Sequence, residues 1–553
     1  MTKSDYESRI ARVLNDAEIP IVRVEERSFP GETWFLVWVN EDSIAAAQSL
    51  AGAIEQELNA AHVVENQSVA VTFRPHRTDV EKPRASTQKG ILASAKVDQL
   101  IQLLEARSRT SDALPSLKYM EDPRASLAAI GASRHHLVYG RRGVGKTALL
   151  LEAKRLAEKG GHVTTWMNAH TLRYLDTPAA FLVIAETVLN SLIHHAGTSQ
   201  GDSFSRLKEV SEKVASLRGS GQPVDLGETL AELNGALRAV LRADIVRLYL
   251  YLDDFYLFPL ASQPRLLDCL AGMLRDCDGW LKIASIERLT RPFEPSSRMG
   301  IEIPHDASKI DLDVTLEDPA ATQKFLESVL TNYTETVGIA KPSSMTRNAA
   351  LGRLLLASGG VPRDYLNLFA SSIVAARSRP NSREIGQEDV ADAAGRASRG
   401  KLRDLEQDVS AESADTLIST LEYLSSFVRG EGYTYFRVDA AQKSHPAYES
   451  LARLVDLRFA HLIQATLSDQ HRQGVKYESY ILDLSQYSDV RLKRGLKVLD
   501  LEDGRWTLRQ SGKANTLKKL KRTLFRDELR RSPIVDLESL SQQVGRSHAV
   551  DAS

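Results

Sequence analysis

The stretch Gly140-Arg141-Arg142-Gly143-Val144-Gly145-Lys146-Thr147 sets glycines, a lysine and a hydroxyl at the spacing G-x-x-x-x-G-K-[ST]. Glycines let successive backbone N–H groups turn inward onto phosphate oxygens, and a helix starting at the end of such a loop adds further donors and a favourable dipole. Lys146 then reaches the β- and γ-phosphates and the Thr147 hydroxyl ligates Mg²⁺, so ATP and Mg²⁺ are the expected ligands. A second pair of reactive groups, Asp253-Asp254, ends the apolar run Val246–Leu252. At the end of a neighbouring strand, Asp253 suits Mg²⁺ coordination, and Asp254 suits the polarising of an attacking water.

These residues work only if particular elements position them. His135–Tyr139 is a short apolar run suited to a buried strand, and Ala148–Ala157 carries good helix formers with apolar residues at helical spacing. Further strands are expected at His162–Met167, Val246–Leu252, Leu281–Ile286 and Ile310–Thr315, with helices between them, which predicts an α/β fold around a parallel sheet. Ser203–Gln222 is polar and charged and reads as an exposed helical insertion. Four helical patterns follow without intervening strands, near Ala320–Thr334, Ser344–Ala357, Pro362–Ala376 and Gln387–Ala397.

With 553 residues the chain exceeds a single hydrophobic core, and 42% hydrophobic with 26% charged residues is ordinary globular composition. No uninterrupted apolar run is long enough to span a bilayer, and Met1–Ser8 lacks the cationic and apolar regions of a signal peptide. A cytoplasmic protein without a membrane partner is expected. The two cysteines, Cys269 and Cys277, have neither disulfide-framework nor zinc-site spacing. A net charge of −1 gives no global attraction to nucleic acid, so such binding requires a local patch.

The sequence divides into an α/β module over 1–78, a linker and helix over 79–114, the phosphate-binding core over 115–316, a helical region over 317–400, a C-terminal domain over 410–510 and a basic tail over 511–553. In the first module, Trp34–Val39 is apolar throughout, so both faces of that strand are expected to be covered. It carries no nucleophile–base pair, metal cluster or phosphate loop, which favours binding or dimerisation over catalysis. Asp79–Gly90 is polar and reads as linker.

Four features together resemble the AAA+ ATPases, within them the origin-recognition type and its bacterial relatives, including the signalling STAND ATPases. They are Gly140–Thr147, Asp253-Asp254, the strand Leu281–Ile286 running into Glu287-Arg288, and Gly359-Gly-Val-Pro-Arg363. The resemblance spans about 115–400. It implies a P-loop AAA+ core with a helical lid, ATP hydrolysis, and homo-oligomers formed through the core. It also implies that Arg363 reaches the γ-phosphate as sensor 2. Pro362 suits the first turn of a helix, so Arg363 sits where its cation opposes the helix dipole, an arrangement that a polyphosphate would compensate. Ser285 occupies the sensor 1 region, with Glu287 and Arg288 close to where signalling relatives keep a polar residue and an arginine. Arg288, Arg291 and Arg298 lie where the family places an arginine finger that completes a neighbour's site; a solvated loop is the alternative reading. Many relatives have Asp-Glu where this chain has Asp253-Asp254, and the shorter second carboxylate implies slow hydrolysis and a nucleotide-dependent switch. The resemblance to signalling relatives, beside flanking modules without catalytic groups, implies that it recruits a protein partner in a signalling or defence-type system.

Beyond residue 410, helices near Leu417–Val428 and Tyr448–Leu457 combine with strands near Tyr433–Val438, His461–Leu467 and Val475–Asp483 in a pattern that resembles a winged helix. The turn offers His471, Arg472 and Lys476 to phosphates, and both duplex DNA and protein contact fit such a module. The tail Lys513–Arg531 is the most basic stretch, with leucines at 517, 520 and 524 that phase an amphipathic helix. Its cations would track nucleic-acid phosphates or simply face solvent. Together these two features support the alternative of a replication-initiator-like ATPase that binds DNA.

Overall fold

Strand pairing in the computed structural model follows from the alternation of apolar side chains. The structure describes all residues except 1–2, 30–31, 61–67, 77–89, 107–117, 197–200, 221–225, 245, 381, 409–410, 489–495, 511–517 and 552–553. Five parallel strands form one sheet in the order Ala307–Asp311, His135–Tyr139, Gly279–Ser285, Leu248–Asp253, Val163–Asn168. Leu137, Leu250, Leu252, Leu281 and Ile283 belong to one buried cluster. Val138, Tyr249, Tyr251 and Ala284 belong to another with Leu149, Leu150 and Ala153 of the helix Lys146–Lys159. Helices thus cover both faces, as a parallel sheet requires.

One polar residue interrupts this core. Lys282 is fully buried, and its Nζ donates to the carbonyls of Ile130, Ala132 and Arg134 at 2.7, 2.7 and 2.9 Å. These acceptors offset the cost of burying the ammonium group and fix the turn that feeds the His135–Tyr139 strand.

Two sequence expectations change here. Asp202–Ser220 is helical, but Phe204, Leu207, Val210 and Val214 are buried in the same cluster as the neighbouring helix Thr177–Ala196, so it is amphipathic and packed rather than exposed all round. Its apolar stripe is diluted by the charged residues of the outer face. Thr177–Ala196 is itself long and apolar enough to cross a membrane by length and composition, yet Phe181, Ile184, Val188, Leu189 and Leu192 are buried in this core.

After the sheet come helices Pro319–Thr336, Asn348–Ser358, Pro362–Ser378 and Gln387–Asp408. The helix Ala95–Ala106 joins them, with Leu100, Leu103 and Leu104 in their core and Asp98 paired with Arg377 at 2.7 Å. The C-terminal region contains an antiparallel sheet in the order Tyr435–Asp439, Lys476–Leu482, Ala460–Ser468, flanked by helices Ala411–Gly430 and Pro446–Asp456. This arrangement is that of a winged helix. A second hairpin, Lys497–Glu502 with Arg505–Gln510, and a final helix, Leu537–Asp551, were not expected from the sequence.

The basic tail also differs. Lys513 and Leu517 lie outside the described residues, Lys518–Lys519 pairs as a strand, and the helix begins only at Arg522. Leu524 is exposed, whereas Phe525 and Leu529 are buried, so the leucine spacing gave the wrong helical phase.

The N-terminal module, described by itself, has helices Lys3–Asp16 and Ile44–Ala60 beside a sheet of Ile21–Phe29, Glu32–Asn40 and Ser68–His76, with Glu32–Asn40 in the middle. Phe35, Val37 and Val39 pack with Ile10, Leu14 and Ile54, and Trp34 and Leu36 on the alternate face are also buried. The linker expected at 79–90 lies outside the described residues except for Gly90.

The helical region and the C-terminal hairpin meet tightly at Gly352. A Cβ there would lie 2.0 Å from the carbonyl oxygen of Leu501, and next to it Arg353 forms a buried ion pair with Asp500 at 2.6 Å. Gly352→Ala should therefore lower stability by about 1–3 kcal/mol, seen as a lower urea midpoint at unchanged slope. An unchanged midpoint would show that these elements do not touch in solution.

Candidate functional site

Strand register brings the reactive residues to one end of the sheet. Asn168 pairs with Asp253, and Tyr139 pairs with both Ser285 and Asp311, so the carboxyl ends of adjacent strands face the Gly140–Thr147 loop. Ligands of open α/β sheets bind at such ends.

The loop depends on left-handed backbone at Gly143 (φ 85°) and Gly145 (φ 108°). At Gly143 there is a second reason for glycine: a Cβ would lie 2.9 Å from Cβ of Arg363. Lys146 is buried and folds back across the loop, donating to the carbonyls of Gly140 and Arg141 at 2.8 and 3.1 Å. Burial lowers its pKa, opposed by Asp254, Asp253 and Asp313. A lysine that holds its own loop's carbonyls is already positioned over the space those glycines enclose.

Thr147 Oγ donates to Oδ2 of Asp253 at 2.7 Å. Burial, then the charge of Asp254, pushes the Asp253 carboxyl up to about 6, against the hydrogen bonds from Thr147 and from the Asp254 N–H. This hydroxyl–carboxylate pair is a hard oxygen donor set suited to Mg²⁺, which commonly takes one or two protein oxygens and completes its shell with phosphate and water. The residues present therefore fit that ion. Asp254 sits in left-handed conformation (φ 54°), and Nδ2 of Asn168 reaches its Oδ2 at 3.4 Å. Asn168 escaped the sequence reading because only strand register places it beside Asp253.

Arg141 and Arg142 diverge from the loop. Arg141 binds Asp313 Oδ1 through its backbone N and Nε, both at 3.0 Å, and the carbonyls of Val314 and Gly359 through Nη2 at 3.2 and 3.1 Å. Arg142 lies over the ring of Tyr256 at 5.7 Å. Val144 is buried with Leu312 and Val361. Gly359 ends the helix Asn348–Ser358 in left-handed conformation, and Pro362 opens the next. The backbone N–H of Arg363 then donates to the Gly143 carbonyl at 3.3 Å, which joins the loop directly to the helical region.

The remaining candidates separate. Ser285 is buried, with Oγ 2.5 Å from that of Thr290, which donates onward to the Ile286 carbonyl. Arg288 pairs with Asp456 and Glu449 on the C-terminal helix Pro446–Asp456, with Nε 2.9 Å from Asp456 and Nη1 3.0 Å from Glu449. Arg291 pairs with Glu294 at 2.5 Å. Arg298, exposed and left-handed (φ 55°), makes no ion pair or hydrogen bond among the described residues. The C-terminal region adds contacts no local motif announced: Arg458 binds Asp364 at 2.8 Å, and buried His461, bound to Asp483 at 3.0 Å, fills the space a Cβ on Gly359 would need.

Residues 125–278 match the family described as "AAA ATPase domain". No curated protein matches the chain. Among solved structures, the chain is similar to one titled as Drosophila ORC bound to DNA, at 12% identity over 79% of this chain and 98% of that one, with a TM-score of 0.35. It is similar to Cdc6p from Pyrobaculum aerophilum at 14% identity over 64% and 86%, with a TM-score of 0.31. It is also similar to a signal transduction ATPase (STAND) protein with a tetratricopeptide repeat sensor from Pyrococcus horikoshii, at 13% identity over 68% and 43%, with a TM-score of 0.29.

The raised Asp253 pKa has a definite sign. Between the ordinary value of 3.8 and about 6, the folded chain holds a proton that the unfolded chain releases, so this group makes stability fall as pH rises through that window. Relative to wild type, Asp253→Asn should remove a decline on the order of 1–3 kcal/mol between urea denaturations at pH 4.5 and pH 7. Parallel pH profiles for the two proteins would refute the shift.

Proposed function

We propose that the AAA ATPase domain at 125–278 binds ATP with Mg²⁺, hydrolyses it slowly, and acts as a nucleotide-dependent switch in a homo-oligomer that recruits a protein partner. The observation that carries this reading is the Thr147–Asp253 hydrogen bond at 2.7 Å beside a loop spanned by Lys146. Glycine N–H groups and Lys146 would hold the β- and γ-phosphates, and Thr147 and Asp253 would hold the ion. Bound there, Mg²⁺ would neutralise charge on the phosphates.

Asp254 would orient the attacking water. Its short side chain and its contact with Asn168 both favour slow turnover. Arg363, whose backbone is tied to Gly143, would sense the γ-phosphate and pass its presence to the helical region. Ser285 fits less well as a sensor, since its hydroxyl is engaged with Thr290. Because Arg288 and Arg291 are paired within the chain, we place the finger role on Arg298. A second reading, duplex DNA held by the turn at 469–475 and the basic tail, is favoured by the contact of Gln470 with Asp527 at 3.3 Å, which sets those two cationic segments side by side.

Lys146→Ala should abolish ATP binding in calorimetry, whereas Asp254→Asn should retain affinity and lose at least about tenfold in turnover. Retained affinity in the first variant would remove the phosphate-loop assignment.

Hydrolysis per chain should rise with protein concentration, because a finger arrives only on assembly. Arg298→Ala should leave ATP affinity unchanged and lower turnover by about 10³-fold or more. Mixing it with Lys146→Ala chains should restore part of the rate. Concentration-independent turnover, or a wild-type rate for Arg298→Ala, would assign this loop to solvent.

A further inference from the structure

A cleft of about 400 Å³ opens between the strand Ala460–Ser468 and the helix Arg522–Arg530, away from the phosphate loop. Its walls include Glu317, Gln464, Thr466, Ser468, Arg526 and Arg530. The strand is at the margin of its sheet, and its register breaks between Leu462 and Gln464 and again between Gln464 and Leu467. Regular pairing is therefore given up along the segment that lines the cleft.

The cations in this cleft are unequal. Arg530 is held in place: Nε donates to the Ser468 carbonyl at 3.1 Å and Nη1 to Asp527 at 2.8 Å. Arg526 is not, since its Nε is buried with no hydrogen-bond partner. Leaving a buried donor unpaired on an always-charged guanidinium is costly, and such a group calls for an explanation. The terminal nitrogens, which also make no hydrogen bond among the described residues, are the part of this guanidinium that lines the cleft and that an oxyanion can reach.

The surroundings narrow the ligand. Glu317 accepts the Ala465 N–H at 2.7 Å through Oε1, while its Oε2 makes no hydrogen bond among the described residues. A carboxylate in the cleft wall disfavours a bare polyanion and accepts a hydroxyl. Thr466, Ser468 and Gln464 also line it and can supply neutral donors and acceptors. Arg522, Lys518 and Lys521 are exposed and do not line the cleft.

We propose that this cleft is a second site, one that binds a sugar phosphate: the phosphoryl group on Arg526 and Arg530, and a sugar hydroxyl toward Glu317. The source of that chemistry is either a free sugar phosphate or the backbone of a single-stranded RNA, whose ribose carries the 2′-hydroxyl. The site is independent of ATP binding at the phosphate loop, and the test keeps the two apart by using the full chain carrying Lys146→Ala.

Ribose 5-phosphate is titrated by calorimetry and a labelled twenty-nucleotide uridine strand, whose riboses keep a free 2′-hydroxyl, by fluorescence anisotropy. At least one probe should bind. Added to that background, Arg526→Gln should weaken binding at least tenfold. Arg526→Lys keeps the charge but lacks the planar fork of terminal nitrogens, and should also weaken it. Arg522→Gln, one turn earlier on the same helix and outside the cleft lining, should change it less than twofold. Thermal melts of each variant check folding, so a loss confined to Arg526 variants with wild-type melts is the supporting result. Binding of ribose 5-phosphate alone identifies a free ligand. Binding of the strand, falling steeply with salt and competed only weakly by ribose 5-phosphate, identifies a nucleic-acid backbone. Equal losses for Arg526→Gln and Arg522→Gln would reduce the site to diffuse surface charge and overturn the proposal. So would no binding of either probe at millimolar concentration.

Discussion

The parallel register that sets Asp253 opposite Asn168 is the constraint on which the rest of the site depends. It fixes where the strand Leu248–Asp253 ends relative to the loop, and so puts a carboxylate 2.7 Å from the Thr147 hydroxyl. All six residues of that strand are buried, and slipping it by one would carry its core residues to the opposite face. The same packing that excludes water also raises the Asp253 pKa, so the group is strained toward protonation until a cation or donor compensates it.

A second set of contacts makes the phosphate loop part of a larger assembly within the chain. Arg141 reaches both Asp313 and Gly359, and Arg363 donates its N–H to Gly143, so loop, strand end and helical region share hydrogen bonds. Asp364, next in sequence, holds Arg458, and His461 packs on Gly359. Arg288 grips Asp456 and Glu449 from the other side of the same C-terminal element. A change in how phosphates fill the loop thus has a short physical route to the winged-helix region, through buried groups whose rearrangement is costly.

Local chemistry was legible in the sequence and distant chemistry was not. The Gly140–Thr147 loop and the strand ending in Asp253 could be read because each depends on neighbours along the chain. Four core strands were found where expected, whereas the one expected at Ile310–Thr315 runs Ala307–Asp311, because polar Ser308 and Lys309 hide its start. Asn168, Asp313, Arg458 and His461 went unnoticed because their roles come from register or from packing across long sequence separations. The helix at Asp202–Ser220 was recognised but its buried face was not, since four apolar residues are sparse among its charges. In the tail, leucines at helical spacing pointed to the wrong face; Phe525 and Leu529 are the residues that pack.

The central claim is that the Thr147–Asp253 pair and the loop beside it hold a metal–nucleotide complex. The most direct measurement is a crystal structure of the full chain with Mn²⁺ and a non-hydrolysable ATP analogue, read by manganese anomalous density. The account predicts one peak beside the Thr147 hydroxyl and the Asp253 carboxylate, with the terminal phosphate between Lys146 and Arg363. Phosphates lying outside the loop, or a manganese peak remote from Thr147, would contradict it.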